Sequence, residues 1–325
     1  MLLNVFFILA GFALLMWGAD RFVSGAGSLA SALGVPPLLI GLTVVGFATS
    51  APEILVSISA ASAGLTDMAV GNALGSNIAN IGLVLGITVL ITPIRGELSS
   101  TLSKEMPLLV LLTPATLILF LDGSLDRADA IILLTGLVVF LFWMTRTGIK
   151  LNASDPLDAE TEDEFNIHLD LRPAILWLLV GFLVLILGAK LLVTGAEFVA
   201  QNLGLSELVI GATIVAVGTS LPELAVSVVS AYRGDTSIAI GNVIGSNVFN
   251  LLAVVGIAGL VNPAAVDESI LTLHYPVMIL LTIALLRIAY NPFGEKGLGR
   301  LMGFCLLTTF LAYQGFLLSG GELPL

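Results

Sequence analysis

The sequence predicts an all-α polytopic membrane protein, with ten transmembrane helices in two inverted five-helix repeats. Three observations carry that prediction. The 325-residue chain is 57% apolar and only 11% charged, against roughly 25% charged residues in an ordinary soluble domain; its mean hydropathy is +1.07. Its apolar runs are long enough for a bilayer core of about 30 Å, which takes roughly 20 helical residues. Two polar motifs embedded in those runs recur at one fixed spacing.

The expected spans are 4–25, 36–62, 67–93, 106–121, 128–147, 173–196, 205–231, 236–261, 271–290 and 300–319. Runs this long and unbroken do not suit a β-barrel, whose strands alternate over about ten residues. Residues 1–19 lack a basic head, so the first run reads as a helix rather than a cleavable signal peptide. With both termini extracytoplasmic, the inner ends and loops hold Arg21, Arg95, Lys104, Arg146, Lys150, Arg172, Arg233, Arg287, Lys296 and Arg300, leaving Arg127 and Lys190 outside. That bias obeys the positive-inside rule and expects a multi-pass protein of the cell membrane. The stretch 150–172, with Asp155, Asp158, Glu160, Glu162, Asp163, Glu164 and Asp170, reads as a solvated acidic cytoplasmic linker between halves 1–149 and 173–325.

Segment 41–53, GLTVVGFATSAPE, matches 211–223, GATIVAVGTSLPE, and 71–82, GNALGSNIANIG, matches 241–252, GNVIGSNVFNLL, both 170 residues apart. Five helices per copy is an odd number, so the second copy enters the membrane from the opposite side. Inverted repeats with a substrate site at midplane are a common design of secondary transporters.

Glu53 and Glu223 stand deep in apolar runs, where an ionised carboxylate is expensive and usually functional. No Lys or Arg near the middle of a span is placed to pair with them. A bound cation would relieve both their repulsion and their desolvation. Each acid ends the pattern Thr-Ser-x-Pro-Glu, Thr49–Ser50 in the first half and Thr219–Ser220 in the second. Proline removes an amide donor and clashes with the carbonyl four residues back, here those of Ala48 and Gly218. A helix broken in this way can aim free carbonyls and hydroxyls at an ion. Ser76 and Asn80, like Ser246 and Asn250, are four apart and share a helix face. Asn77 and Asn247 point elsewhere and suit the holding of broken backbone; Asn72 and Asn242 can be ligands, caps or packing residues. This is a hard oxygen set, suited to Ca²⁺ or Na⁺ rather than to soft metals.

Other classes fit poorly. A net charge of −11 lacks the basic footprint of a nucleic-acid binder. One cysteine, Cys305, and two histidines, His168 and His274, leave little for a disulfide, zinc or haem. The Gly-x-x-x-Gly-Ser-Asn segments lack the lysine of a nucleotide loop, and no nucleophile–base pair marks an enzyme. The expected partners are the bilayer and the transported ions, with no cofactor and no obligate protein partner evident.

On these motifs the chain resembles the cation/Ca²⁺ exchanger superfamily, and within it the prokaryotic calcium/sodium antiporters. The resemblance runs over nearly the whole length. It implies a site built by the second and third helices of each half, with Glu53 and Glu223 as acids shared by Ca²⁺ and Na⁺. It implies further oxygens from Thr49, Ser50, Thr219, Ser220, Ser76, Ser246, Asn80 and Asn250, and from the backbone at Gly46 and Ala216. Some relatives carry Asp at the place of Asn250, so the ion stoichiometry stays open. Thr-Ser-x-Pro-Glu follows the sodium-coupled pattern; the proton-coupled branch usually has Gly-Asn-x-x-Glu there. The mechanism expected is alternating access, the first and sixth helices sliding over the rest. Gly18, Gly25, Gly188 and Gly195 suit such sliding and ordinary packing equally. Proton-coupled cation exchange is the nearest rival; a cation channel, which needs a continuous pore, and a membrane-bound enzyme or scaffold are rivals of other classes.

Overall fold

The computed structural model describes residues 2–35, 37–95, 102–151, 171–202, 216–289 and 297–319. Residues 152–170 of the expected linker, and 205–215 of the seventh expected span, lie outside the described residues. The helices are α1 (Leu2–Leu33), α2 (Gly41–Thr49, entered through a turn at Pro37–Ile40), α3 (Ala51–Ser62), α4 (Thr66–Ile91), α5 (Leu102–Leu119), α6 (Arg127–Leu151), α7 (Leu171–Asn202), α8 (Ala216–Thr219), α9 (Leu221–Tyr232), α10 (Thr236–Val261), α11 (Tyr275–Ala289, led by a π-helical turn at Ile270–His274) and α12 (Arg300–Leu318). Among the described residues five helices are long and apolar enough to cross a membrane: α4, α6, α7, α10 and α12. The pair α2–α3, bent by 47°, makes a sixth.

The breaks expected at the Thr-Ser-x-Pro-Glu motifs are present: the run 36–62 is two helices parted at Ser50, and Ser220 parts α8 from α9 in the same way. Pro52 and Pro222 fall at the first positions of the new helices, where the missing N–H costs nothing and the fixed φ is favourable. The first helix runs on to Leu33, well beyond the expected end at 25. Ala26, Ser28 and Ala30 are small and buried there, so the helix continues along protein rather than into solvent.

The repeat extends to local backbone. Gly64 and Gly234, 170 apart, close the turns after α3 and α9 at φ +82° and +91°, a region open to glycine. Asn80 and Asn250 each begin a π-helical turn, Asn80–Leu85 and Asn250–Val254. The repeat-related helices α10 and α4 form the centre: 89% and 72% of their residues over the spanning stretch are buried, against 22% for α6 and α12. Around them α5, α6, α11 and α12 complete the main apolar core.

Helices α1 and α7 run antiparallel to each other in close backbone contact. A Cβ at Gly25 would meet the backbone of Leu178 and Ala174 at 2.5–2.7 Å, and one at Gly181 would meet Phe22 N at 2.5 Å. This pair leans on α2, α9 and the start of α10 through a separate small cluster: Leu15, Ala19, Phe22, Val23, Ala26, Ala30, Ile40, Val45, Ala225, Val226, Val229 and Ile238.

Two short antiparallel ladders tie the ends of the bundle. Ile94–Arg95 pairs with Gly297–Leu298, and Ser124–Leu125 with Ala264–Ala265. Beside the second, Thr66 Oγ1 donates to the Asn262 carbonyl at 2.8 Å and accepts from Asn262 Nδ2 at 2.9 Å. That exchange fixes the start of α4 to the end of α10. Thr66→Val removes both bonds from a buried position and is expected to lower stability by about 1 kcal/mol or slightly more, read as an earlier thermal unfolding midpoint in detergent.

Candidate functional site

The breaks at Ser50 and Ser220 place both acids in the first turn of a helix, Glu53 in α3 and Glu223 in α9. An apolar run with a carboxylate inside it is thus a helix start with a carboxylate at its positive end, the favourable place for an anion. Just before each break a four-residue helix, Gly46–Thr49 or Ala216–Thr219, ends towards the same region. Ala216 is the first residue of the second.

Both carboxylates are fully buried, and they lie within electrostatic reach of each other. Each is faced by the hydroxyls of the opposite half. Ser220 Oγ lies 3.5 Å from Glu53 Oε1, with Thr219 beside it. Thr49 and Ser50 face Glu223 without closing a hydrogen bond to it. Thr49 Oγ1 donates to Asn242 Oδ1 at 2.9 Å and lies 3.2 Å from Ser246 Oγ, which itself donates to the Gly46 carbonyl at 3.4 Å. Glycine allows this approach: a Cβ at Gly46 would meet Gly245 and Ser246 backbone at 3.0 Å. The acids, Thr49, Gly46, Ser220 and Ser246 therefore form one interleaved group drawn from both halves.

Ser50, Ser76, Asn80 and Asn250 are buried as well. Asn80 Nδ2 donates to Asn247 Oδ1 at 3.2 Å. Ser50 Oγ, Ser76 Oγ, Asn80 Oδ1, both polar atoms of Asn250, Glu53 Oε2 and both oxygens of Glu223 have no hydrogen-bond partner among the described residues. Each buried polar atom left in this way costs about 1–3 kcal/mol, and more for a carboxylate. Native interiors hold few such atoms, and here they gather on facing elements around the two acids. Among the described residues no three of His, Cys, Asp and Glu gather to hold a metal; the interleaved group consists of two carboxylates and neutral polar atoms.

The motif reading left the roles of Asn72 and Asn242 open. Asn72 Nδ2 donates to the Glu53 carbonyl at 3.3 Å and to Ser57 Oγ at 3.2 Å; Asn242 Nδ2 does the same to the Glu223 carbonyl at 3.1 Å and Ser227 Oγ at 2.9 Å. These amides clamp the backbone of the acid-bearing turns. The repeated 19-residue separation of Asn and Glu was the available signal. Asn77 Nδ2 reaches the Asn247 carbonyl at 3.2 Å, so it holds backbone, but that of the other half.

A family model described as sodium/calcium exchanger protein matches residues 3–146 and 173–319. The putative antiporter CaxA of Alkalimonas amylolytica is 43% identical over 319 residues, 98% of this chain and 100% of that protein. The sodium/calcium exchanger MaX1 of Methanosarcina acetivorans is 33% identical over 317 residues, 87% of this chain and 90% of that one. Among solved structures, the sodium-calcium exchanger NCX_Mj, soaked with 2.5 mM Na⁺ and 0.1 mM Ca²⁺, aligns with a TM-score of 0.82 at 30% identity, covering 96% of this chain and 97% of that one.

Proposed function

The chain belongs to the sodium/calcium exchanger family, and from that premise we propose that it moves Ca²⁺ out of the cell against Na⁺ by alternating access. It is a membrane antiporter of the Ca²⁺-exchange class. The proposal adds the coupling ion, the direction and the residues. The observation that carries it is the pair of buried acids from opposite halves, Glu53 and Glu223, set among hydroxyl and amide oxygens several of which have no hydrogen-bond partner among the described residues.

Calcium takes six to eight oxygens at about 2.3–2.6 Å. Thr49, Ser50, Thr219, Ser220, Ser76, Asn80, Ser246 and Asn250, with the carbonyls of Gly46 and Ala216, supply neutral donors around the two charges. Two carboxylates balance one Ca²⁺. Three Na⁺ would leave one excess positive charge, eased by carbonyls and by dipoles. The empty cradle, with two bare negative charges, resists passage across the apolar barrier, whereas Ca²⁺ neutralises it and Na⁺ leaves a smaller net charge; exchange is then favoured over leak. In this reading ten spans form two inverted halves, 1–149 and 173–325, joined by a cytoplasmic acidic linker, 150–172, with both termini outside.

The test is Ca²⁺ uptake into proteoliposomes, with Na⁺, K⁺ and H⁺ gradients imposed one at a time. Saturable uptake driven by the Na⁺ gradient alone supports the proposal. Uptake driven by the H⁺ gradient alone would assign proton coupling, and unitary currents would assign a channel. A milder check is Thr49→Val, which keeps shape but withdraws a hydroxyl from Asn242 and Ser246. It is expected to weaken the apparent Ca²⁺ affinity about tenfold, the worth of a buried hydrogen bond or two.

A further inference from the structure

Between the α1–α7 pair and the rest of the molecule lies an apolar, alanine-rich contact. One end of it is tied by charge. Arg233, which caps the C-terminus of α9, reaches across to α1, where its guanidinium pairs with the Asp20 carboxylate and donates to Ser24 Oγ at 2.6 Å. Ser24 Oγ in turn donates to the Asp20 carbonyl at 2.7 Å, which fixes the hydroxyl to receive the arginine.

The internal repeat makes the tie informative. The position 170 before Arg233 is Ala63, and the positions 170 after Asp20 and Ser24 are Lys190 and Thr194. Ala63 carries no charge, and the residue matching the aspartate is a cation. The pseudo-symmetric end of the molecule therefore cannot form the same pair. Two inverted halves of equal chemistry would hold their two access states at nearly equal energy. A tie built at one end only biases that balance.

We propose that Arg233, Asp20 and Ser24 form a one-sided latch, holding α1 closed on the core at the Arg233 end and so favouring the access state in which that end is shut. The proposal rests on the alternating-access reading above. In that orientation the latched end is the cytoplasmic one. Arg233 and Asp20 are partly exposed, at 26% and 42%. The latch is therefore weak, and it tunes populations without locking them.

Val229 gives the readout. It is buried under α1 one turn before Arg233, and its carbonyl accepts from the Arg233 N–H at 3.0 Å. In the full chain carrying Cys305→Ser, Val229→Cys is labelled with a water-soluble maleimide. Ala60→Cys, buried near the end of the repeat-related helix α3 against Ala69 and Ala258, serves as the companion. Arg233→Gln and Asp20→Asn, tested separately, are each expected to speed labelling at 229 about two- to fivefold, the range of a half-exposed ion pair, with labelling at 60 not rising. The exchanged pair, Asp20→Arg with Arg233→Asp, is expected to bring the rate at 229 back towards the parent. Unchanged labelling at 229 in both neutral variants would overturn the latch. So would equal acceleration at 60, the mark of general loosening, or an exchanged pair as fast as the single variants. Ion exchange is measured in parallel. Shifted labelling without Na⁺-driven Ca²⁺ flux upholds the latch and rejects the transport reading; intact flux with unmoved labelling does the reverse.

Discussion

Glu223→Gln is expected to lower Na⁺-driven Ca²⁺ uptake by about 100-fold or more, and Glu53→Gln to do nearly the same. The size follows from where the charges sit. Both are fully buried, and with Ca²⁺ between them the loss of one carboxylate leaves a buried cation half-compensated, at a cost of about 3–5 kcal/mol. With one carboxylate left, a divalent ion would carry an uncompensated charge through the apolar barrier. The structure also ranks the pair. Glu53 keeps a contact to Ser220, whereas both oxygens of Glu223 lack any hydrogen-bond partner among the described residues. Glu223 is thus the less supported without an ion, and its glutamine variant should gain more thermal stability in ion-free detergent than Glu53→Gln does. Uptake assays and unfolding midpoints, with and without Ca²⁺, measure both effects. Wild-type flux in either variant would show that the paired acids are not the transport site.

The two acids were legible in the sequence because a charge inside an apolar run is conspicuous, and doubly so when it returns 170 residues later. The central helices were legible for the same reason: GNALGSNIANIG and GNVIGSNVFNLL keep polar residues in step through runs that the structure buries. What stayed hidden depends on contacts made far along the chain. Pro52 reads equally as a kink within a span or as the first turn of a new helix, and only the backbone at Ser50, φ −80° and ψ 2°, decides it. Asn242 looks like a cap, a ligand or filler until Glu223 and Thr49 are seen on its two ends. Asn80 and Asn247 are 167 apart, and their hydrogen bond exists only because the halves interleave. Polarity pattern fixes which face of a helix is special, whereas the partner across that face is set by packing.

That interleaving makes a second large effect predictable, at a residue with no polar atom in its side chain. A Cβ on Gly245 would lie 2.2 Å from the Leu42 carbonyl oxygen and 2.8 Å from its carbon. The obstacle is backbone, which no change of rotamer can remove. Gly245→Val is therefore expected to push α2 off α10, at a cost of at least about 1–3 kcal/mol of overpacking. The displacement would not remain local. Leu42 belongs to the same helix as Gly46 and Thr49, which meet Ser246 and Asn242 one turn further on. Shifting that helix outward separates the hydroxyls of the first half from the acid of the second, so exchange should fall at least as far as in the acid variants, through loss of geometry rather than of charge. Gly136→Ala on α6 is the matched control. Its added methyl would meet only the flexible tip of Leu252, at 3.6 Å, and alanine favours the helix by about 0.5–1 kcal/mol. Near-parent flux with unchanged or higher stability in Gly136→Ala, beside a severe loss in Gly245→Val, is the outcome that ties transport to the contact between the two halves. Parent-like Ca²⁺ exchange in Gly245→Val would mean that the close seating of α2 on α10 is dispensable, and the interleaved site with it.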